Sequence, residues 1–533
     1  MINRTKSHIQ KYKPGSMESE KIDLLFQNET MLQKIEDLFD ALEQDDIRYC
    51  NWKSNKDLKK SLNGEIDIEL LCDRKDATEV RSILAECNYK EFPDVSFANF
   101  PGITNYIGFD EESGRLIHVH LHYELTFGTP YLKEYVSPWG SYVLDKRIKD
   151  SETDVWVSDP NVEVFLLLIR YAMKIRRWNV IARRSYFEAF IEEYKWLRER
   201  SDLDTISTVC QDLLTDEASL HVEEMIKEGP KISHFHRLRT LSQSELQPYN
   251  THRTTTSSAL ALLRKGFRGF GKLNEKILNR PIPTRRSSSP GGIEIAFIGI
   301  DGSGKSTHVN NIREWLSWKV DVHQVYFGSG DGRSSLLRYP LKKLNEIRRR
   351  FNCDGGNQQE IVTSTSDSSK NKIPSVNDES SEQVGFAKAL WALTLAREKR
   401  NKRRRSKRAR NRGLIVLMDR YPQYQFPGHN DGPLLRNWKD SEYRLLRWLS
   451  KWEVSIYQYL HNTPPDLIIK LHTSPSIAKQ RKPETPLREL EKKSITIDQL
   501  EYDNGTCDTV IIDTEQDIDV VCNEIKKEIW NAL

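Results

Sequence analysis

The sequence predicts an α/β protein in two parts. The C-terminal part is a parallel sheet flanked by helices and built around a phosphate-binding loop; the N-terminal part is an α+β domain that runs on into a helical extension. Three observations carry this expectation. Gly299-Ile-Asp-Gly-Ser-Gly-Lys-Ser306 is a complete G-x-x-x-x-G-K-[ST] loop. Short apolar runs recur from residue 293 onward with helical stretches between them. The first 250 residues start as alternating short strands and helices and end in long helical runs.

The loop lies between the elements its chemistry requires. Ile293–Ile298 reads as an apolar strand, and Thr307 onward, through Ile312, Trp315 and Leu316, has helical spacing. Glycines let backbone N–H groups turn toward phosphate oxygens, and the helix N-terminus adds partial positive charge. The motif assigns Lys305 to the donor phosphates and Ser306 to Mg²⁺. Gly299, Asp301, Gly302, Ser303, Gly304 and Thr307 complete the expected nucleotide-binding set. The implied cofactors are ATP and Mg²⁺.

The other strands expected in this half are Val322–Phe327, Leu414–Met418, Leu467–Leu471 and Val510–Ile512. Their alternation with helices implies parallel pairing and cover on both faces. The third strand ends in Asp419-Arg420-Tyr421. A carboxylate there suits a metal ion beside the loop, and the planar fork of Arg420 suits phosphate. Residues 353–383 are rich in Ser, Asn, Asp and Gly and are expected to be disordered. Gly385–Arg412 reads as one helix, apolar at its start and basic at its end.

In order and spacing this half resembles the thymidylate kinases. The resemblance rests on Phe297–Thr307, Gly413–Tyr421, Pro465–Leu471, Ser474–Arg481 and Val510–Asp513, and covers residues 293–533. It implies a P-loop NTPase fold and an ATP-dependent kinase. Asp301 would then face the acceptor, Asp419 and Arg420 would line the cleft, and Arg481 would open a lid, with Lys482 and Arg488 as further lid candidates. The match fails where this family shapes its acceptor pocket. Residues Val325–Arg333 and Pro422–Pro433 differ from the family pattern, so Ser329, Asp331, Arg333, Asn430 and Asp431 become candidate acceptor contacts, or plain turn residues.

In the N-terminal half, Gly64–Leu71 reads as a strand with Asp67 and Glu69 on one face and Ile66, Ile68 and Leu70 on the other. Paired carboxylates suit Mg²⁺ on a triphosphate. Lys53-Ser54 precedes a helix beginning near Asn55, with Ser54 expected as its cap and as a phosphate contact. Ile117–Glu124 places His118, His120, His122 and Glu124 on one strand face. These histidines suit either a transition metal or the polar lining of a cleft. The layout resembles the nucleotidyltransferase superfamily over residues 30–250, in particular an uncharacterised bacterial branch with a Lys-Ser start and a helical tail. The resemblance implies an N-terminal site of Lys53, Ser54, Asp67, Glu69, His118 and His120. Glu69 replaces the usual second Asp, and a histidine stands where a third carboxylate is usual.

The expected domains are a polar tail (1–20), a nucleotidyltransferase-like domain (21–150), a helical extension (151–250), a linker (251–292) and the kinase-like domain (293–533). At 533 residues the chain exceeds a single core. No apolar run approaches the roughly 18 residues of a membrane span. The start has no apolar signal region, and seven scattered cysteines form no C-x-x-C pair, which points to reduced thiols and a cytoplasmic protein. Residues 397–412 carry eleven Lys/Arg against one Glu, while the whole chain is only +4, so the basicity is local. That argues against nucleic acid as a partner. The basic stretch reads as a solvated helix face supporting the phosphate site, or as a contact for a polyanion or acidic membrane. Expected partners are a nucleoside triphosphate, a phosphate acceptor such as a nucleoside monophosphate, and a second copy of the chain. Alternatives are a sugar or polysaccharide-precursor kinase and a nucleotide-sensing switch with a degenerate N-terminal domain.

Overall fold

The computed structural model describes residues 31–174, 180–252, 254–278, 280–328, 386–428, 430–502, 505 and 507–533. The polar tail, the 353–383 insertion, and Ser329, Asp331 and Arg333 lie outside the described residues. The chain divides into two compact units. Among the described residues, one comprises those up to Tyr89, Ile117–Leu125 and Ser137–Pro248; the other comprises Lys90–Leu116, Thr126–Val136 and those from Tyr249 onward. No helix among the described residues is long and apolar enough to cross a membrane.

The first unit starts with the helix Gln33–Gln44, which buries Ile35, Leu38, Phe39 and Leu42 along one stripe. The strand Tyr49–Asn51 pairs antiparallel with Leu70–Cys72 and parallel with Val157. Leu71 in turn pairs parallel with His122. The expected strand over 64–71 is shorter: regular pairing starts at Leu70, and Ile68 makes one isolated parallel bridge to Val119. Gly64 at positive φ and the turn around it keep the chain from pairing earlier. The helix Pro160–Lys174 is buried almost all round, as its continuous apolar run requires. Four more helices follow, Val180–Arg198, Leu203–Leu213, Asp216–Glu228 and Ile232–Glu245. Asp202 and Thr215 cap two of them by accepting from the backbone N–H groups of Thr205 and Ala218.

The second unit holds five parallel strands, β1 (Glu294–Gly299), β2 (Val322–Tyr326), β3 (Ile415–Asp419), β4 (Leu467–His472) and β5 (Asp508–Asp513), in the order β2-β3-β1-β4-β5. The helices are α1 (Lys305–Ser317), α2 (Phe386–Arg410), α3 (Arg444–His461), α4 (Pro475–Arg481), α5 (Leu487–Asp498) and α6 (Ile518–Ala532). Alternate side chains of β1, β3 and β4 feed two cores. Ile295, Phe297, Ile415, Leu417 and Ile469 pack with Val309, Ile312, Ile525 and Trp530; Ala296, Ile298, Val416, Met418 and Ile468 pack with Ala478, Leu490 and Ile497. Burial on both faces explains why these three central strands read as continuous apolar runs. The strand order reverses at β1, whose neighbours are β3 and β4. That is the switch point at which ligands bind in such sheets.

Two features differ from expectation. Residues 90–116, read with the first domain, give Phe92, Ile107, Phe109 and Leu116 to the core of the second unit. Phe109 lies 5.4 Å from the Trp315 ring and 6.0 Å from the Trp530 ring. The antiparallel pair Lys90–Glu91/Ile103–Phe109 covers its apolar side there. The stretch 251–292, read as a linker, carries a 20-residue helix, Thr254–Leu273.

Helix α2 is not simply a solvated basic face. Arg403 is 1% exposed and donates to Glu294 at the start of β1 and to the Thr463 and Pro464 carbonyls. Arg410 grips Asp466 through two 2.7 Å bonds. Arg404, Arg405 and Arg408 are partly or fully exposed to solvent.

Candidate functional site

The phosphate loop leaves β1 at Gly299 and enters α1 at Lys305. Gly302 adopts φ +92°, and a Cβ there would lie 2.6 Å from the Ala478 carbonyl oxygen of α4. Only glycine lets the loop and that helix come so close. Lys305 is buried, and its Nζ donates to the carbonyls of Gly299 at 2.9 Å and Ile300 at 2.6 Å. Burial, helped by Arg420, lowers its pKa to about 7. Ser306 and Thr307 open the first turn of α1, and both are exposed. The Ser303 hydroxyl is buried inside the loop.

Asp419 closes β3 and accepts a 2.7 Å hydrogen bond from Ser306 Oγ at Oδ2. Its Oδ1 is buried with no hydrogen-bond partner among the described residues. A hydroxyl and a half-satisfied carboxylate form a donor set of hard oxygens, which fits Mg²⁺.

Arg420 comes next, at φ +70°, a strained conformation for an arginine. Its guanidinium donates to Asp301 Oδ1 at 2.8 Å and lies 3.7 Å from Asp431. Asp431 also takes positive φ, and Lys399 of α2 donates to it at 3.2 Å. On the far side, Lys493 of α5 donates to Asp301 Oδ2 at 2.7 Å and lies 2.6 Å from Glu489. Charges therefore alternate from Lys399 through Asp431, Arg420 and Asp301 to Lys493. Burial would raise the carboxyl pKa of Asp301, but Arg420 and Lys493 hold it well below the usual range. The Asp431 carboxyl is lowered in the same way, against its burial, by Lys399 and Arg420. Burial depresses Lys399 even beside Asp431.

Of the lid candidates, Arg481 ends α4 and donates to the Thr514 carbonyl at 2.8 Å. It also adds to the burial that lowers the pKa of His308. Lys482 lies 3.9 Å from Glu484, and Arg488 is exposed on α5. Asn430 donates to the Lys493 carbonyl at 3.2 Å. Reading the sequence misses Lys493 and Lys399. The pair Glu489/Lys493 looks like any surface i,i+4 pair, and Lys399 is one of eleven cations in its stretch, so no local signal marks either.

The N-terminal residues also converge, though not as expected. Glu69 Oε2 lies 3.0 Å from Lys53 Nζ, 2.9 Å from His122 Nε2 and 3.3 Å from His120 Nδ1. Asp67 lies 2.9 Å from His118 Nδ1. Burial lowers the pKa of Lys53. Burial alone would raise Glu69, but Lys53 and His120 hold it well below the usual range. Ser54 has φ +62° and makes no side-chain cap. The backbone N–H of Asn55 donates to Glu163 at 3.1 Å, and the Asn55 amide adds a 2.7 Å bond to the same carboxylate. Beyond Ser54 the chain makes one short 3₁₀ turn and a five-residue helix, Leu58–Leu62. Glu124 lies beyond the histidine strand and pairs with Arg74 at 2.6 Å. Asp67 and Glu69 are thus matched to imidazole and ammonium groups, and this donor set does not fit Mg²⁺ carrying a triphosphate.

No family model matches the chain. It is 27% identical over 212 residues to the uncharacterized ATP-binding protein YghS of Escherichia coli K12, covering 40% of this chain and 81% of that protein. It is 28% identical over 220 residues to the uncharacterized ATP-binding protein YghR of the same strain, covering 40% and 77%. Among solved structures, thymidylate kinase from Ehrlichia chaffeensis is 16% identical and aligns with 45% of this chain and 100% of its own, at a TM-score of 0.23. A likeness that slight carries no functional weight. The loop, the carboxylate bonded to Ser306 and the parallel sheet make the second unit a P-loop nucleotide-binding region.

Proposed function

We propose that the second unit is an ATP-dependent phosphotransferase of the nucleoside monophosphate kinase class. The observation that carries this is the line from Lys305 and Ser306–Asp419 to Arg420, which joins a donor-phosphate end to a cationic acceptor end. In this reading Lys305 leaves its carbonyl partners to hold the donor phosphates. Ser306 and Asp419 would hold Mg²⁺, which offsets charge building up on the transferring group. Asp301 and Asp431 keep Arg420 aimed at the cleft, so its fork meets phosphate without reorganising. Arg481, at the end of α4, would open a lid that closes and keeps water from the reaction.

A second reading, a non-nucleotide acceptor such as a sugar, is favoured by one observation: Asp431, in a loop unlike that of thymidylate kinases, places a buried Lys399–Asp431 pair beside Arg420. The test is to offer γ-labelled ATP with a panel of nucleoside monophosphates and, separately, a metabolite extract read by mass. Label on a monophosphate supports the first reading, and label on a sugar alone supports the second. No Lys305-dependent label on any acceptor overturns both. For the N-terminal unit, nucleotidyl transfer rests on the sequence layout of Lys53-Ser54 and Asp67/Glu69 and not on the observed donor set. Indifference of α-label transfer to Asp67→Ala would remove it.

A further inference from the structure

Within the first unit, three groups meet on one carboxylate oxygen. Glu69 Oε2 is 2.9 Å from His122 Nε2 and 3.3 Å from His120 Nδ1. The ligand atoms of Glu69, His120 and His122 all lie within 4.8 Å of one another. Tetrahedral Zn²⁺ with bonds near 2.0–2.1 Å spaces its ligand atoms about 3.3 Å apart, so two of the three edges are already close to the required length. The sequence prepares this arrangement. Alternation on Leu116–His122 brings His120 and His122 to one side, with rings 4.9 Å apart, and the parallel bridge Ile68–Val119 sets Glu69 beside them. His122 is fully buried and the Trp52 ring stands edge-on to it at 5.3 Å, which fixes its plane.

The third of these neighbours is a cation. Lys53 Nζ lies 3.0 Å from the same Glu69 oxygen and 4.8 Å from the Trp52 ring centre. The pocket is therefore built around a positive charge, and the ammonium stands on the oxygen that a metal ion would take. Lysine carries its charge on a flexible four-carbon stem, so it can leave without moving the backbone.

We propose that Glu69, His120 and His122 form a three-ligand site for a divalent transition metal of the Zn²⁺ class, in exchange with the Lys53 ammonium. Two imidazoles and one carboxylate select Zn²⁺, Co²⁺ or Ni²⁺ over Mg²⁺, which requires six oxygens. Three protein ligands leave a coordination position open, the pattern of catalytic rather than structural zinc sites. Asp67, matched with His118, stands outside the ligand set. This site is independent of the kinase reading, which concerns other residues.

The test uses the full chain, stripped with a chelator and kept in excess Mg²⁺ so that the Ser306–Asp419 oxygens do not compete. Zn²⁺ is titrated by calorimetry, and Co²⁺ by visible spectroscopy. The expected result is one saturable equivalent, with Co²⁺ bands of a nitrogen-containing, low-coordinate site. His122→Ala and Glu69→Gln should weaken binding by more than the roughly 10–100-fold that a lost outer partner costs. Should the buried His122 variant fail to fold, the less buried His120→Ala gives the same reading. Lys53→Met should tighten binding, because the competing ammonium is gone. No stoichiometric uptake by the wild type overturns the proposal, as does uptake unchanged in the ligand variants. Weaker binding in Lys53→Met overturns the exchange.

Discussion

Lys305 is an ammonium group closed off from water, with Arg420 pressing its pKa the same way as burial does, to about 7. Bringing a polyphosphate within reach supplies the opposite charge and raises that pKa. Above pH 7 the free site is therefore largely neutral and the loaded site charged. At pH 8, ATP binding should take up close to one proton, measured by calorimetry in two buffers of different ionisation heat. At pH 6, where Lys305 is already charged, the uptake should vanish. In Lys305→Ala it should be absent at both pH values, and turnover should fall by about 10²–10³, the scale set by the loss of one preorganised donor. Gly302 makes a second prediction. Gly302→Ala puts a methyl against the Ala478 carbonyl at positive φ, so it should raise KM for ATP by pushing α4 away, with little loss of secondary structure by circular dichroism.

At the scale of elements, the helix Pro160–Lys174 buries Glu163, whose pKa is pushed up to about 7 by burial and then by Glu193. A carboxyl raised from 4.5 contributes stability that is full below pH 4.5 and is lost as pH rises through 7. Glu163→Gln keeps one of the two acceptor oxygens that Asn55 uses, as the protonated carboxyl does, and carries no charge. It should stabilise the chain at pH 8 by about 1–3 kcal/mol and be near neutral at pH 4.5, read from denaturant melts at the two pH values. Helix α2 offers the opposite case. Arg403 is enclosed with Glu294, so Arg403→Met leaves a buried carboxylate unpaired and should cost about 3–5 kcal/mol. Exposed Arg404→Ala on the same helix should stay within about 0.5 kcal/mol in the same melts. Equal losses from both would mean that α2 is held by its charge as a whole and not by the Arg403 staple.

At the scale of the molecule, what can be read from the sequence depends on how local the signal is. The phosphate loop is contiguous, and the strands of this sheet show as short apolar runs, so β1 to β5 and α1 are legible within a residue or two of their bounds. Asp419 is legible because a strand end beside a loop has one chemical use. Lys493 and Lys399 reach Asp301 and Asp431 across long sequence separations, which no spacing rule encodes. Phe109 reads with the first domain because its neighbours in sequence belong there, yet its ring packs on Trp315. Ser54 looks like a cap because its residue type suits one. The Glu163 carboxylate, more than a hundred residues away, satisfies the N–H group instead. The central claim is that the second unit moves a phosphoryl group from ATP to an acceptor other than water. The most direct test is to incubate the full chain with γ-labelled ATP, Mg²⁺ and a metabolite extract, beside Asp419→Asn, and to follow the label. Mg²⁺-dependent label is predicted on a discrete acceptor in the wild type and none in the variant; label found only in inorganic phosphate, or equal in both proteins, would contradict the claim.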